Sequence, residues 1–248
     1  MTKEVPAALL RLWGITEPSR LGRPAELDVG RVVGAAVELA DRDGLSGVTL
    51  PKVAKALGFT SMSLYRYVGS KDELLVLMAD AAIGSPPDLD GMPWREGLRT
   101  WAHAEREVHR RRPWLCRVPV SGPPAGPNHI AWMDAALVAM RGTGLDWGAK
   151  VGVMSLVGGY VRQSATLSRE LAAGRERGLD QAGAERSYGR ALAALVTADR
   201  FPEAAKLFAS TVFEQGGGPD GDFAFGLEAI LDGVAVAVRR AGAAGAQR

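Results

Sequence analysis

The residues with the clearest chemical potential lie between Gly44 and Lys71, a stretch that contains no aspartate or glutamate. Lys52, Lys55, Arg66 and Lys71 stand in it beside the hydroxyls of Thr49, Thr60, Ser61, Ser63, Tyr65 and Tyr67. A surface bearing cations and donors but no carboxylates meets a polyanion without like-charge repulsion. Small hydroxyls allow close approach, Met62 offers an apolar contact for a thymine methyl, and Arg66 suits a guanine edge or a phosphate. Tyr65 and Lys71 suit phosphate oxygens, and Thr49 and Lys52 open a helix whose first N–H groups favour an anion. The same pattern also fits the solvated polar faces of two small helices.

Other chemistries find little support. There is no Ser-His-Asp or Cys-His arrangement, no pair of carboxylates on one helix face and no phosphate-cradling loop, so no catalytic residues and no cofactor are expected. Gly216–Gly218 is a glycine run without the lysine and helix of a phosphate loop. His103, His109 and His129 lack ligand spacing with Cys116 or with carboxylates, so no metal site is expected. A single cysteine excludes an internal disulfide framework. No apolar run is long enough to span a bilayer, and the first residues do not form a signal peptide, which makes the cytoplasm the expected location. With 47% apolar residues among 248, a sizeable core is expected, while a net charge of +2 says little about partners.

The elements that must position these residues read as helices throughout, since no segment sustains period-two alternation. Residues 1–25, with three prolines and Arg11, Arg20 and Arg23, read as a flexible basic arm with one helical turn near Leu9–Trp13. Asp28 caps a helix that Gly44 ends, Thr49 caps a short one that Gly58 ends, and Thr60 caps Ser61–Tyr67. Val53, Leu57, Leu64 and Val68 would be buried between them. Ser70 and Glu73 fit a capping box opening a helix that the Ser85-Pro86-Pro87 segment closes. Beyond it, helices are expected from Pro93 to about Arg111, Asn128–Met140, Asp146 to about Leu171, Ala184–Thr197, Pro202–Phe213 and Phe223–Arg240. Pro119–Pro127 reads as a loop, and Gly174–Gly183 as a mobile, glycine-spaced stretch. The fold expected is all-α: an N-terminal three-helix helix-turn-helix domain over 26–86 and a larger helical domain over 87–248.

The segments Val48-Thr49, Val53-Ala54, Leu57-Gly58-Phe59, Leu64-Tyr65-Arg66-Tyr67 and Lys71-Asp72-Glu73-Leu74-Leu75 together resemble the DNA-binding domain of TetR-family repressors. Pro113-Trp114-Leu115, the loop Ser121–Asn128, the Gly142–Leu145 turn and Phe223–Glu228 are similar to a tetracycline-repressor-type C-terminal domain. The resemblance implies a homodimer on double-stranded, palindromic operator DNA, released by a small organic effector. Two reading helices would then sit about one helical turn apart, roughly 34–36 Å, or a multiple of that. Thr49, Lys52, Thr60, Ser61, Met62, Ser63, Tyr65, Arg66, Tyr67 and Lys71 are the expected DNA contacts. A helical adaptor or ligand-sensing protein without DNA binding is the alternative.

The resemblance further implies an effector cavity among the helices over 94–111, 128–141 and 146–171. Trp101, Leu115, Trp132, Met133, Met154 and Ser155 are expected to reach it, with His103 and Glu105 as polar anchors. The dimer interface is expected on the long helix around Val151–Tyr160 and the final helix. Two departures from the family pattern stand out. Leu50 and Pro51 occupy positions where many members carry a polar residue and an arginine, so the operator sequence is not transferable. The positions that hold magnesium–tetracycline fall near Pro119 and on Leu167, so that chelate is not the expected ligand.

Overall fold

In the computed structural model, which describes residues 5–15, 27–120, 122–175, 180–215 and 218–245, every regular element is a helix. A short helix α1 (Ala7–Leu12) precedes α2 (Val29–Asp43), α3 (Leu50–Leu57), α4 (Ser61–Leu64) and α5 (Lys71–Ile83). The larger part follows as α6 (Trp94–Arg111), α7 (Pro127–Ala139), α8 (Trp147–Gly174), α9 (Gln181–Ala193), α10 (Pro202–Ala209), α11 (Val212–Gln215) and α12 (Gly218–Gly245). Two 3-10 turns, Leu45–Gly47 and Pro113–Arg117, join their neighbours.

Local chemistry sets these boundaries. Asp28 accepts the Arg31 N–H at 2.8 Å, Thr49 accepts that of Lys52 at 3.4 Å, and Asp146 accepts that of Ala149 at 2.7 Å, so three helices open on side-chain caps. Gly44 and Gly58 leave their helices with φ of +71° and +78°, a region costly for any residue with a Cβ. Along α2, Val32, Val33, Ala36, Val37 and Ala40 are buried on one face. They pack on α3 and α5, with Val53, Leu64 and Val68 fully enclosed. Each such side chain contributes about 1.5–3 kcal/mol by leaving water.

Several expectations change. Ser61–Tyr67 is helical only to Leu64, although the N–H groups of Tyr67 and Val68 still bond to the Leu64 carbonyl. Thr60 does not cap α4, because its hydroxyl is bonded to that of Ser63 at 3.0 Å. Ser70 caps α5 through the Glu73 N–H, but the Glu73 carboxylate reaches back to the Gly69 N–H, one residue beyond the box. Pro93 precedes α6 rather than beginning it. The helix expected over Pro202–Phe213 breaks at Ser210, whose hydroxyl donates to the Leu207 carbonyl and accepts the Val212 N–H. Helix α9 begins at Gln181 and α12 at Gly218, earlier than expected. The rest of the Gly174–Gly183 stretch, residues 176–179, lies outside the described residues, as do Ser121, Gly216, Gly217 and the prolines and arginines of 16–26.

The arm departs most. Helix α1 is held on α5 by a two-pronged pair in which Arg11 Nε and Nη2 donate to Glu73 at 2.5 and 3.0 Å. Trp13 Nε1 then donates to the Ala125 carbonyl at 2.8 Å, in the loop before α7. No local pattern announces partners 62 and 112 residues away.

Helix α5 packs on α2 at one side and on α7 at the other, so it belongs to both halves. Their joint is Asp80, 4% exposed, in an otherwise apolar run. Its carboxylate accepts the His129 N–H at 2.9 Å, His129 Nδ1 at 2.8 Å and the Asn128 N–H at 3.3 Å. It thereby caps α7 from a different helix, and Gly126 leaves it the space, since a Cβ there would collide with the carboxylate. Burial pushes the Asp80 carboxyl upward, but the hydrogen bonds from His129 and Asn128 outweigh it and hold the group below its ordinary value. A carboxyl depressed on folding contributes stability above its unfolded pKa, and that contribution is lost as pH falls through the folded value. Asp80→Ala should therefore cost about 2–4 kcal/mol at pH 7 by urea denaturation, because it orphans buried N–H groups. The gap to the native protein should narrow below about pH 4. An unchanged midpoint would show that Asp80 does not hold the joint.

A second joint lies at the end of α6. Trp114 Nε1 and Arg112 Nε both donate to Asp41 of α2, at 2.6 and 3.2 Å, and Arg112 also reaches the Ala82 carbonyl. Beyond it, α6, α7, α8 and α12 pack around one core, while α9, α10 and α11 pack on each other through Tyr188, Phe208 and Phe213.

Candidate nucleic-acid interface and candidate effector residues

Helices α3 and α4, joined across Gly58, form a helix-turn-helix whose two faces differ sharply. Leu64 and Val68 are fully buried, whereas Met62 is 77% exposed and Tyr65 51% exposed. Arg66, Thr60, Lys52 and Lys71 are also exposed, and Ser61 and Ser63 are half-buried at the same edge. Of the polar residues expected to meet DNA, Lys52, Thr60 and Lys71 thus stand exposed at the N-terminal ends of α3, α4 and α5, while Tyr65 and Arg66 follow the end of α4. Tyr67 departs from the set: it is half-buried and packs against the core. It stands one residue before the enclosed Val68 and three after the enclosed Leu64, so it shares their side of the turn. Leu57, expected inside, is only half-buried.

The expected effector residues divide into two groups. Trp101, Leu115 and Trp132 are buried. Trp101 Nε1 donates to the Trp132 carbonyl at 2.9 Å and Trp132 Nε1 to the Gly84 carbonyl at 2.8 Å, and the two rings meet edge-on with centroids 6.1 Å apart. Glu105 lies one turn along α6 from Trp101, with a buried Oε2 that has no hydrogen-bond partner. His103, by contrast, is exposed and rests edge-on against Phe223 of α12. Two residues from both Trp101 and Glu105, it must point to the other side of the helix. Ser155 is exposed on the outer face of α8, and Met154 and Met133 are half-buried.

Two further features were not foreseen. Arg162 of α8 donates to the carbonyls of Cys116 and Val118 at 3.0 and 2.8 Å, tying the start of the 118–126 loop to α8. His109 Nδ1 lies 3.5 Å from the Cys116 sulfur. Burial, with the charges of Arg162 and His129, lowers the His109 pKa to about 4, while burial raises that of Glu105 to about 8 against the pull of Arg162. At 3.9 Å and with both groups neutral at pH 7, they form no ion pair. The signal available in the sequence was faint: a glutamate and a histidine one turn apart on the face of Trp101.

Trp132 also lines a cleft of about 710 Å³ between the two halves, together with Asp41, Ile83, Pro86, Val108 and Arg112. The cleft wall at Trp132 is thereby hydrogen-bonded to the Gly84 carbonyl at the end of α5. Among the described residues, no helix is long and apolar enough to cross a membrane, and no group of three or more His, Cys, Asp or Glu side chains is placed to hold a metal.

Comparison with known proteins agrees with this geometry. Residues 32–78 match the family described as bacterial regulatory proteins, tetR family, and residues 86–238 match the tetracyclin repressor-like C-terminal domain. The HTH-type transcriptional repressor DrrR1 of Streptomyces coeruleorubidus is 38% identical over 241 residues, 95% of this chain and 87% of that protein. A transcriptional regulator of Saccharopolyspora erythraea is 31% identical over 152 residues, 60% of this chain and 64% of that one. Among solved structures, the TetR family protein ActR of Streptomyces coelicolor in complex with actinorhodin superposes with a TM-score of 0.71 at 25% identity, covering 86% of this chain and 98% of that one. A TetR variant from Acinetobacter baumannii in complex with minocycline gives 0.61 at 21% identity, covering 86% and 98%.

Proposed function

Since the chain belongs to the TetR family of bacterial regulatory proteins, we propose that it is a ligand-responsive, DNA-binding transcriptional repressor working as a homodimer. One observation carries this function: a helix-turn-helix buries Leu64 and Val68 while turning Met62, Tyr65 and Arg66 outward from a carboxylate-free segment. Helix α4 enters the major groove. There Ser61, Met62 and Arg66 read base edges, while Lys52, Thr60, Tyr65 and Lys71 hold phosphates.

The dimer forms through α8 and α12. Val151, Leu156 and Phe225 are 52%, 54% and 79% exposed on these two packed helices, an apolar face that a second copy covers. The effector, a small organic molecule, binds between Trp101, Glu105, Leu115 and Trp132. Trp132 is bonded to Gly84 at the end of α5, and Asp80 bonds α5 to α7, so a ligand that shifts Trp132 acts on α5 directly. Tilting α5 changes the separation of the two reading helices. The ligand shifts the equilibrium only as far as it favours the DNA-incompetent arrangement. The function is binding, with no reaction assigned to these residues and no metal or cofactor required.

The test is a titration of the protein against DNA from its own promoter region across a salt series. With Lys52 and Lys71 of both subunits on phosphates, the slope of log K against log salt should be on the order of −4. A slope near zero, or no preference over unrelated DNA, would falsify DNA recognition and favour a protein-binding adaptor.

A further inference from the structure

The polar groups around Glu105 are matched, and it is not. Trp101 Nε1 is taken by the Trp132 carbonyl, His109 Nδ1 faces the Cys116 sulfur, and Arg162 is bonded to two backbone carbonyls. His109 Nε2 stands 3.9 Å from Glu105 Oε1, beyond hydrogen-bond range. A buried polar atom without a partner is destabilising, so its presence needs a reason.

The space beside it is shaped by Gly158 of α8. A Cβ at that position would lie 3.6 Å from Glu105 Oε2 and 3.4 Å from Trp101 Cη2, at ordinary contact distance from both. Glycine thus leaves a gap the size of one heavy atom, bounded by a carboxyl oxygen and the edge of an aromatic ring. A compact cation attached to an apolar skeleton matches that boundary: the charge meets the carboxylate and the skeleton meets the tryptophans.

Resting on the effector site proposed above, we infer that the effector carries a basic nitrogen, protonated when bound, which docks on the Glu105 carboxyl in the gap left by Gly158. Free Glu105 holds a proton below about pH 8, and that proton leaves as the ammonium group arrives. The groups facing it are His109 on its own helix, which is neutral at pH 7, and Arg162 on α8, whose charge weakens the pair without supplying a hydrogen bond. Apparent affinity for a protonated amine therefore falls as pH drops from 8 to 6, about tenfold per unit.

The experiment titrates the full chain calorimetrically with naphthylmethylamine and with its uncharged N-acetyl derivative. The amine should bind at least tenfold tighter, with affinity rising toward pH 8. Glu105→Gln should abolish the preference. Gly158→Ala, which fills the gap without crowding its neighbours, should weaken amine binding about tenfold while melting no earlier than the native protein. The inference is overturned if the N-acetyl compound binds as tightly, if the preference survives in Glu105→Gln, or if neither compound binds. The same samples are run against operator DNA to keep two failures apart. An amine that binds through Glu105 yet leaves the DNA complex intact upholds the site chemistry and overturns its role as effector. Salt-sensitive DNA binding without amine binding overturns the site chemistry and leaves DNA recognition standing.

Discussion

Glutamate in place of Met62 is expected to lower operator affinity at least a hundredfold while leaving the fold intact. Met62 is 77% exposed, so the substitution disturbs no core packing. It places a carboxylate in a segment that has none between Gly44 and Lys71, on the helix proposed to enter the groove. Like-charge juxtaposition at a desolvated contact costs several kcal/mol, and a twofold dimer suffers it twice. Arg66→Ala, which removes a contact without adding repulsion, should cost about 1–3 kcal/mol per site. Fluorescence anisotropy with labelled operator measures both, and circular dichroism checks that helicity is retained. A Met62→Glu protein within threefold of native affinity would place α4 outside the groove.

Leu156→Asp is expected to convert the dimer to a monomer and to remove most operator binding with it. Leu156 is 54% exposed in the single chain, on the same outer face of α8 as Val151, Gly152 and Ser155. In a twofold interface each substitution appears twice, burying two unpaired carboxylates where two leucines met. The cost is on the order of several kcal/mol, enough to dissociate a dimer at micromolar concentration. Sedimentation equilibrium should then report 26.2 kDa rather than twice that mass. Operator affinity should fall because each monomer reaches only one half-site. Leu75→Asp is the contrasting control, since Leu75 is buried within the chain and its replacement should destabilise the subunit itself. A Leu156→Asp protein that remains dimeric would move the interface elsewhere.

Much of this molecule was legible because its cues are local. Asp28, Thr49, Ser70 and Asp146 all cap helices as their residue types require, and Gly44 and Gly58 end helices at positive φ. The exposed and buried sides of α3 and α4 followed from spacing alone, except at Leu57, which is only half-buried at the end of α3, and at Tyr67, where the short helix gives way to a turn and the periodicity no longer predicts direction. Ser210 broke a helix for an equally local reason that apolar periodicity had masked.

The effector residues were harder. Trp101 and Glu105 share a helix face, and spacing could have separated them from His103; the aromatic and polar types alone did not. Ser155 and Trp132 differ by burial, which depends on which helices pack together. Asp80 carried a signal, a single acid within Leu74–Ile83, but nothing in that run names His129 as its partner.

The sequence by itself determined where the helices lie, which short pair turns a carboxylate-free face outward, and which family the chain resembles, because caps, periodicity and charge act over a few residues. The tertiary structure alone decided what couples the halves: Arg11 on Glu73, Trp13 on Ala125, Asp80 on α7, Trp132 on Gly84, and the isolation of Glu105. Those relations join residues dozens of positions apart. Hydrogen bonding and desolvation at such distances are set only when helices pack, and no single segment of chain carries that information.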